Sequence, residues 1–210
     1  MSKLEEPIII TKYSDFTWPF CYVATVGGTA VLEEDPDIQI EWVSWEGRPP
    51  GKPFAPYTTE KKLELYNTKF KPLADKYNVP INPPEKNCRT TNAHLATIYS
   101  REKGKLKEYR NRIYKARWVE DLDIEDPKIL IQLGEEIGLN SKEIKNVIDE
   151  KRYLSVLHSQ RSQGKSLGIF GIPSFVIRGK IFWGVDVIEE LKEEIDLVKQ
   201  KLIEEQEKED

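Results

Sequence analysis

The sequence predicts an α/β protein, in which a small mixed β-sheet flanked by helices is interrupted along the chain by a long helical insert. Three observations predict this class. The chain opens with two short apolar segments on either side of a helical one, continues with about a hundred residues of helical periodicity, and closes with a strand pair and an amphipathic helix. A strand–helix–strand unit of the opening kind joins two parallel strands.

The first half of the predicted sheet lies in residues 1–57. The apolar run from Ile8 to Ile10 predicts a short buried strand. Pro19 suits the first turn of a helix, because its missing N–H has no partner there in any case. That helix is predicted to run from about Phe20 to Leu32, and the alternating pattern from Ile38 to Val43 predicts a second strand.

The all-helical insert is predicted over residues 58–167. Before it, residues 47–57 contain four prolines and two glycines, which predicts a linker. A break is predicted at Asn82-Pro83-Pro84. The predicted helices are Thr58 or Thr59 to about Tyr77, 92–103, 105–118, Pro127 to Ile137 with Asp126 as its cap, one capped by Asn140, and about 153–165.

The second half of the sheet is predicted in residues 168–210. Ser174 to Arg178 is a predicted strand, Gly179-Lys180 a tight turn, and Ile181 to Trp183 the paired strand. Asp186 is then predicted to cap a long helix from Val187 to about Glu205. Joining both halves into one mixed sheet gives the thioredoxin fold, with an inserted all-helical domain.

Two motifs that lie far apart in the sequence resemble one family. The segment from Asp15 to Tyr22, DFTWPFCY, resembles the Cys-Pro-Trp-Cys-Tyr active site of FrnE-type members of the DsbA family. It is also similar to the Ser-Pro-Tyr-Ser stretch of 2-hydroxychromene-2-carboxylate isomerases and kappa-class glutathione transferases. GIFGIPSFVI at 168–177 and FWGVD at 182–186 resemble the matching pair of motifs in that superfamily, most closely in its isomerase branch.

The resemblance implies a thiol site that this chain alters. In the family, a cysteine at the start of a helix is activated by unpaired N–H groups and the helix dipole, and a second cysteine three residues later resolves the mixed disulfide. Here Trp18 occupies the first position and Cys21 the second. Tryptophan is not a nucleophile. Cys21, one turn inside the helix, is expected to be either an inert core thiol or a working monothiol.

Further residues gain a role through the same resemblance. Pro173 resembles the family's cis-proline, which would expose the backbone of Ile172 to an extended thiol or peptide substrate. Trp18, with Phe20 and Trp183, either caps the sheet edge or lines an aromatic pocket. Asp186 is either an ordinary helix cap or, as in glutathione-binding relatives, a partner for the ligand's amino group.

Two residues of the predicted insert have both a structural and a functional interpretation. Asn92-Ala93-His94 resembles a stretch of the family's insert. A lone histidine on a helix is more often a surface or groove residue than a catalyst, so the structural interpretation of His94 is preferred. Cys88 lies in a proline-rich loop and is expected to be a spectator, and whether it pairs with Cys21 is open.

These residues leave three alternative hypotheses for the function of the protein. The leading hypothesis is a DsbA-like thiol–disulfide oxidoreductase with Cys21 as the catalytic residue. The second is an isomerase or transferase that uses glutathione or another low-molecular-weight thiol, in which the hydroxyl of Thr17 would have to replace the family's serine. The third is a non-catalytic protein that binds a ligand or peptide. The substrate-binding candidates are Trp18, Pro19, Phe20, Ile172, Pro173, Trp183 and Asp186.

Charge and composition limit the kinds of binding partner that we expect. A net charge of −4 and a pI near 5.5 give no reason to expect nucleic acid or an anionic membrane. The polar start, MSKLEEP, and the lack of any long apolar stretch lead us to expect a cytoplasmic protein. The histidines and cysteines have no metal-ligand spacing. The expected partner is a protein or small molecule with a thiol or disulfide, and the resemblance to dimeric relatives makes a homodimer one expected state.

Overall fold

Four strands form one mixed sheet in the computed structural model, which describes residues 4–82 and 84–209. The strands are β1 (Ile8–Ser14), β2 (Ile38–Ser44), β3 (Ser174–Ile177) and β4 (Lys180–Trp183), in the order β2-β1-β3-β4. β1 pairs in parallel with β2 and antiparallel with β3, which pairs antiparallel with β4. This sheet, flanked by helices, confirms the predicted α/β class.

The first helix is shorter than the sequence predicts. α1 spans Pro19–Val23, with proline in its first turn as expected. It then passes into a π-helical turn at Ala24–Gly28 and a 3₁₀ turn at Ala30–Glu34, so the prediction of one continuous helix is wrong. Gly28 lies where α9 packs closely, because a Cβ there would be 2.1 Å from the Cδ1 of Ile188. A helix interior with two adjacent glycines is also intrinsically weak.

The helices between β2 and β3 follow the predicted order. They are α2 (Thr59–Leu65), continued by a π-helical turn at Tyr66–Phe70, then α3 (Lys71–Lys76), α4 (Thr91–Glu102), α5 (Leu106–Trp118), α6 (Pro127–Glu136), α7 (Ser141–Asp149) and α8 (Leu154–Ser166). The caps predicted from the sequence are formed: the side chains of Thr58, Asp126 and Asn140 accept backbone N–H bonds at the starts of α2, α6 and α7. In the predicted break, Pro83 lies outside the described residues, as do Met1–Lys3 of the polar start.

Two predictions near the C-terminus are wrong: the position of the tight turn and the cap of the last helix. The tight turn is Arg178-Gly179, whose φ angles of 47° and 83° are both left-handed, and Lys180 is already the first residue of β4. The last helix, α9, spans Ile188–Glu209. Asp186 is exposed and forms no hydrogen bond within the described part of the chain, so the predicted cap is not formed.

The sheet and the helical insert share one hydrophobic core. Its largest cluster joins Ile10, Trp42 and Phe175 of the sheet to Leu95 and Ile113 of the insert, all fully buried. The domain limits at residues 57 and 167 therefore stay a prediction. No described helix is both long and apolar enough to cross a membrane.

Candidate functional site

Two loops and the end of β4 meet at one end of the sheet. β1 ends at Ser14 and β3 begins at Ser174, and the two strands pair with Tyr13 opposite Ser174. β4 ends at Trp183, which lies opposite Ser174 on the other side. The motif loop (residues 15–18) and the cis-proline loop (residues 168–173) therefore lie at the same end of the sheet, so the topology places the two sequence motifs side by side.

Trp18 stands at the first position of the altered motif, directly before α1. Its side chain is 39% exposed, and its carbonyl accepts hydrogen bonds from the N–H groups of Cys21 at 2.9 Å and Tyr22 at 3.2 Å. The indole contacts Phe20, with 5.7 Å between ring centroids, and Phe20 contacts Phe70 at 5.2 Å. The position that the family gives to an attacking thiol is thus the start of an aromatic row that continues into the insert.

The cis-proline loop presents further aromatic surface. The Ile172–Pro173 bond is cis, as the resemblance implied. Phe170 is 90% exposed and Trp183 is 67% exposed. A Cβ on Gly171 would lie 2.1 Å from the Nε1 of Trp183, so glycine is needed for the indole to rest on this loop.

Hydrogen bonds hold the cis-proline loop in place. The hydroxyl of Ser174 donates to the carbonyl of Gly171 at 2.7 Å, and the N–H of Gly184 donates to the carbonyl of Pro173 at 2.9 Å. The backbone N–H and C=O of Ile172 make no hydrogen bond with the described residues. Ile172 itself is half-buried, and its side chain packs against the core.

Cys21 is fully buried. Burial raises the pKa of its thiol to about 12, although hydrogen bonds from the Ser14 side chain and the Asp15 backbone act in the opposite direction. Cys88 is also buried, and burial raises its pKa to about 12. Both cysteines are free, so the open question of their pairing is answered: they do not form a disulfide.

The motif loop begins with a buried carboxylate, that of Asp15. Oδ1 of Asp15 is 3.2 Å from Nε2 of His94, and Oδ2 accepts hydrogen bonds from the N–H of Gly47 at 2.8 Å and the hydroxyl of Thr17 at 3.3 Å. Burial by itself raises the pKa of Asp15, but the hydrogen bond and charge of His94 and the Gly47 N–H bring it below its usual value. His94 is fully buried, so its expected location at the surface or in a groove is wrong, whereas the preference for a structural over a catalytic role stays a prediction.

The insert fixes the position of the motif loop through α5. The hydroxyl of Tyr114 lies 2.8 Å from that of Ser14 and donates to the carbonyl of Asp15 at 3.2 Å. The indole N–H of Trp118 donates to the carbonyl of Phe16 at 2.8 Å. These positioning residues were missed by sequence reasoning, because no local pattern indicates a partner about 100 positions away.

A buried lysine was missed as well. Lys12 is fully buried, and its ammonium donates to the hydroxyl of Thr29 at 2.9 Å. Burial, followed by the charge of Arg110, lowers its pKa to about 7. Alternation along β1 is the signal that could have found it, since Ile10, Lys12 and Ser14 point to the same side of the strand.

Comparison with known proteins identifies the class. Residues 9–196 match the model of the DsbA-like thioredoxin domain, so the chain belongs to this family and has the thioredoxin fold that the motifs indicated. It is 31% identical to protein YwbO of Bacillus subtilis over 182 residues, which cover 83% of this chain and 89% of YwbO. It is 25% identical to the 2-hydroxychromene-2-carboxylate isomerase of Sphingobium xenophagum over 191 residues, which cover 87% and 95% of the two chains.

Solved structures agree with this fold. A 2-hydroxychromene-2-carboxylate isomerase superposes with a TM-score of 0.78 at 18% identity, covering 92% of this chain and 97% of that one. The cytosolic disulfide reductase DsbM of Pseudomonas aeruginosa, solved with glutathione, superposes with a TM-score of 0.68 at 15% identity, covering 93% and 99%.

Proposed function

We propose that this chain is a DsbA-like protein that binds an extended, peptide-like ligand between the motif loop and the cis-proline loop, and that its altered motif does not exchange disulfides. One observation carries the proposal. The position of the attacking thiol holds an exposed Trp18, whereas the thiol that remains, Cys21, is fully buried with its pKa raised to about 12.

Disulfide exchange requires a thiolate that can reach the sulfur of the substrate. Cys21 lacks both properties, since it has no exposed surface and its ionised form is disfavoured at neutral pH. No second cysteine lies within the motif to resolve a mixed disulfide. The leading hypothesis from the sequence, in which Cys21 is catalytic, is therefore the less favoured one.

The exposed groups on the loops at this end of the sheet suit a peptide-like ligand. The unpaired backbone of Ile172 offers one N–H and one C=O to an extended main chain, in the manner of an added strand. Trp18, Phe170 and Trp183 offer aromatic faces to the side chains of that ligand. Glutathione is a small peptide-like probe, and a DsbM structure that shares this fold was solved with it. Asp186, exposed just after β4, is the residue we assign to the ligand's amino group.

The redox part of the proposal is tested with a disulfide-reductase assay on a model protein substrate. We expect the natural chain and the Cys21→Ser variant to be equally inactive, and Trp18→Cys to gain activity because it restores an exposed thiol at the start of α1. Turnover by the natural chain that disappears in Cys21→Ser would overturn the proposal in favour of a monothiol oxidoreductase.

The binding part is tested by titrating glutathione, and extended peptides with one aromatic side chain, into the natural chain by calorimetry. Trp18→Ala should weaken binding by about tenfold, as expected for an exposed aromatic anchor. Leu197→Ala, which removes an apolar side chain of α9 that is 55% exposed, is the control and should bind as the natural chain does. If Trp18→Ala binds these ligands as tightly as the natural chain does, Trp18 is not part of the binding site.

A thiol-dependent isomerase is the second candidate, supported by the similarity to the Sphingobium xenophagum isomerase over 95% of that protein. The hydroxyl of Thr17 would have to activate the thiol, but it donates to Asp15. Glutathione-dependent isomerisation of 2-hydroxychromene-2-carboxylate that is lost in Thr17→Val would favour this candidate over the first.

A further inference from the structure

A separate cavity of about 270 Å³ lies on the helical insert. It is bounded by the proline-rich linker at Pro50, by the start of α4, by the segment before α6, and by the turn between α7 and α8. None of the residues that line it belongs to the motif loop or the cis-proline loop. The proposed function therefore makes no use of this cavity.

Three charged side chains line the cavity, and none of them forms an ion pair with another described residue. They are Arg89, Lys151 and Glu125. Many other charged side chains of the insert are paired, such as Lys145 with Asp149 and Arg112 with Glu136. Unpaired charges that converge on one cavity are available to a ligand of complementary charge.

The contacts of the two cations are with neutral groups. The ammonium of Lys151 donates to Oδ1 of Asn92 at 2.7 Å. The guanidinium of Arg89 donates to the carbonyls of Arg48, Pro49 and Lys52, and its Nε makes no hydrogen bond with the described residues. A guanidinium has five N–H groups, so donors remain for an anion.

The carboxylate of Glu125 and the backbone conformation of Lys151 complete the charged lining of the cavity. Oε2 of Glu125 accepts the backbone N–H of Arg89 at 2.8 Å, and its carboxylate keeps further acceptor capacity. Lys151 has a φ of 51°, a left-handed conformation in which glycine is favoured. The turn between α7 and α8 nevertheless has a lysine there, which places its cation at the cavity.

We propose that this cavity binds an acidic amino acid. Two cations and one carboxylate complement the two carboxylates and one ammonium of such a ligand: one carboxylate pairs with Lys151, the other with Arg89, and the ammonium with Glu125. Leu154, which is an apolar member of the lining together with Pro50, covers the methylene groups. This site is independent of the proposed function.

The test is calorimetric titration of L-glutamate, L-alanine and glutarate into the natural chain. We expect saturable binding of one glutamate per chain, no binding of alanine, and binding of glutarate that is at least tenfold weaker because it lacks the ammonium. No saturable binding of glutamate, or equal binding of glutarate, would overturn the proposal.

Variants separate a ligand site from a structural role. Lys151→Gly should keep the thermal midpoint, since glycine favours the left-handed backbone, but weaken glutamate binding at least tenfold. Lys142→Gln, which removes an exposed lysine elsewhere on α7, should bind normally. Glu125→Gln should remove the preference for glutamate over glutarate. Undiminished binding by Lys151→Gly, or loss of binding in Trp18→Ala, would place the ligand elsewhere and overturn the assignment.

Discussion

The surface around the motif loop and the cis-proline loop differs in polarity from the residues buried directly beneath it. The surface is aromatic, and the buried residues are charged. Trp18, Phe170 and Trp183 present large aromatic faces to solvent, whereas Lys12 and the Asp15–His94 pair are buried. Exposed large aromatic side chains and buried charges each cost free energy, and such costs are usually retained where a surface binds or a group must be positioned. In this chain the proposed binding residues therefore lie at the surface, and the buried polar groups beneath them hold the motif loop in place through hydrogen bonds.

Thiol labelling should give the largest effect. With its pKa raised from 9.0 to about 12, Cys21 has roughly a thousandfold less thiolate near neutral pH, and it is also inaccessible. We expect both native cysteines to react with a disulfide reagent at least about a thousandfold more slowly than in the unfolded chain. Trp18→Cys supplies the fast-reacting control. Rapid labelling of native Cys21 would show that its thiol is as reactive as the thiol introduced at position 18, and would contradict the prediction.

Asp15→Ala should give the largest change in stability. It leaves His94 and the N–H of Gly47 without their buried partner, and breaking a buried pair of this kind costs about 3 kcal/mol. Denaturant unfolding measures the change. Asp196→Ala, on the exposed face of α9, is the control and should change the free energy of unfolding by less than about 0.5 kcal/mol. A similar small change in both variants would show that the buried pair does not stabilise the motif loop.

Lys12→Met should stabilise the protein and flatten its pH dependence. Because the pKa of Lys12 is lowered from 10.5 to about 7 on folding, the unfolded state binds more protons between these values, and stability rises with pH. The slope is up to about 1.4 kcal/mol per pH unit above pH 7, and this group contributes no slope below its folded pKa.

Unfolding of both proteins from pH 7 to 9 tests this prediction. The excess stability of Lys12→Met should shrink as the pH rises. Thr29 loses a donor in the variant but still donates to the carbonyl of Ala24 at 2.8 Å. Parallel pH profiles for the two proteins would mean that Lys12 stays charged in the folded state.

Gly171→Ala should have the smallest effect on stability. The new Cβ would meet the indole of Trp183 and displace it, but this side chain is largely exposed, so the cost is about 1 kcal/mol. Tryptophan fluorescence and unfolding measure the change. In a Trp183→Ala background the same substitution should cost nearly nothing, because the clash is gone. An equal cost in both backgrounds would contradict the proposed packing.

Local chemistry made most of the fold predictable. Pro19 in the first turn of α1 and Asp126 and Asn140 as caps act on hydrogen bonds a few residues away, so their effect can be deduced from neighbours in the sequence. Alternation and helical periodicity similarly reflect which side of an element is buried. The errors at Gly28, Lys180 and Asp186 occur where packing between elements or turn register overrides the local signal.

The sequence alone determined the class, the order of elements, and the replacement of the first motif cysteine by Trp18. Only the tertiary structure decided the environment of that motif: Asp15 meets His94 across 79 positions and Ser14 meets Tyr114 across 100. Contacts over such separations depend on how the insert packs on the sheet, which no window of sequence encodes. For the same reason the burial of Cys21, which is what disfavours its chemistry, emerges only when the helices close over it.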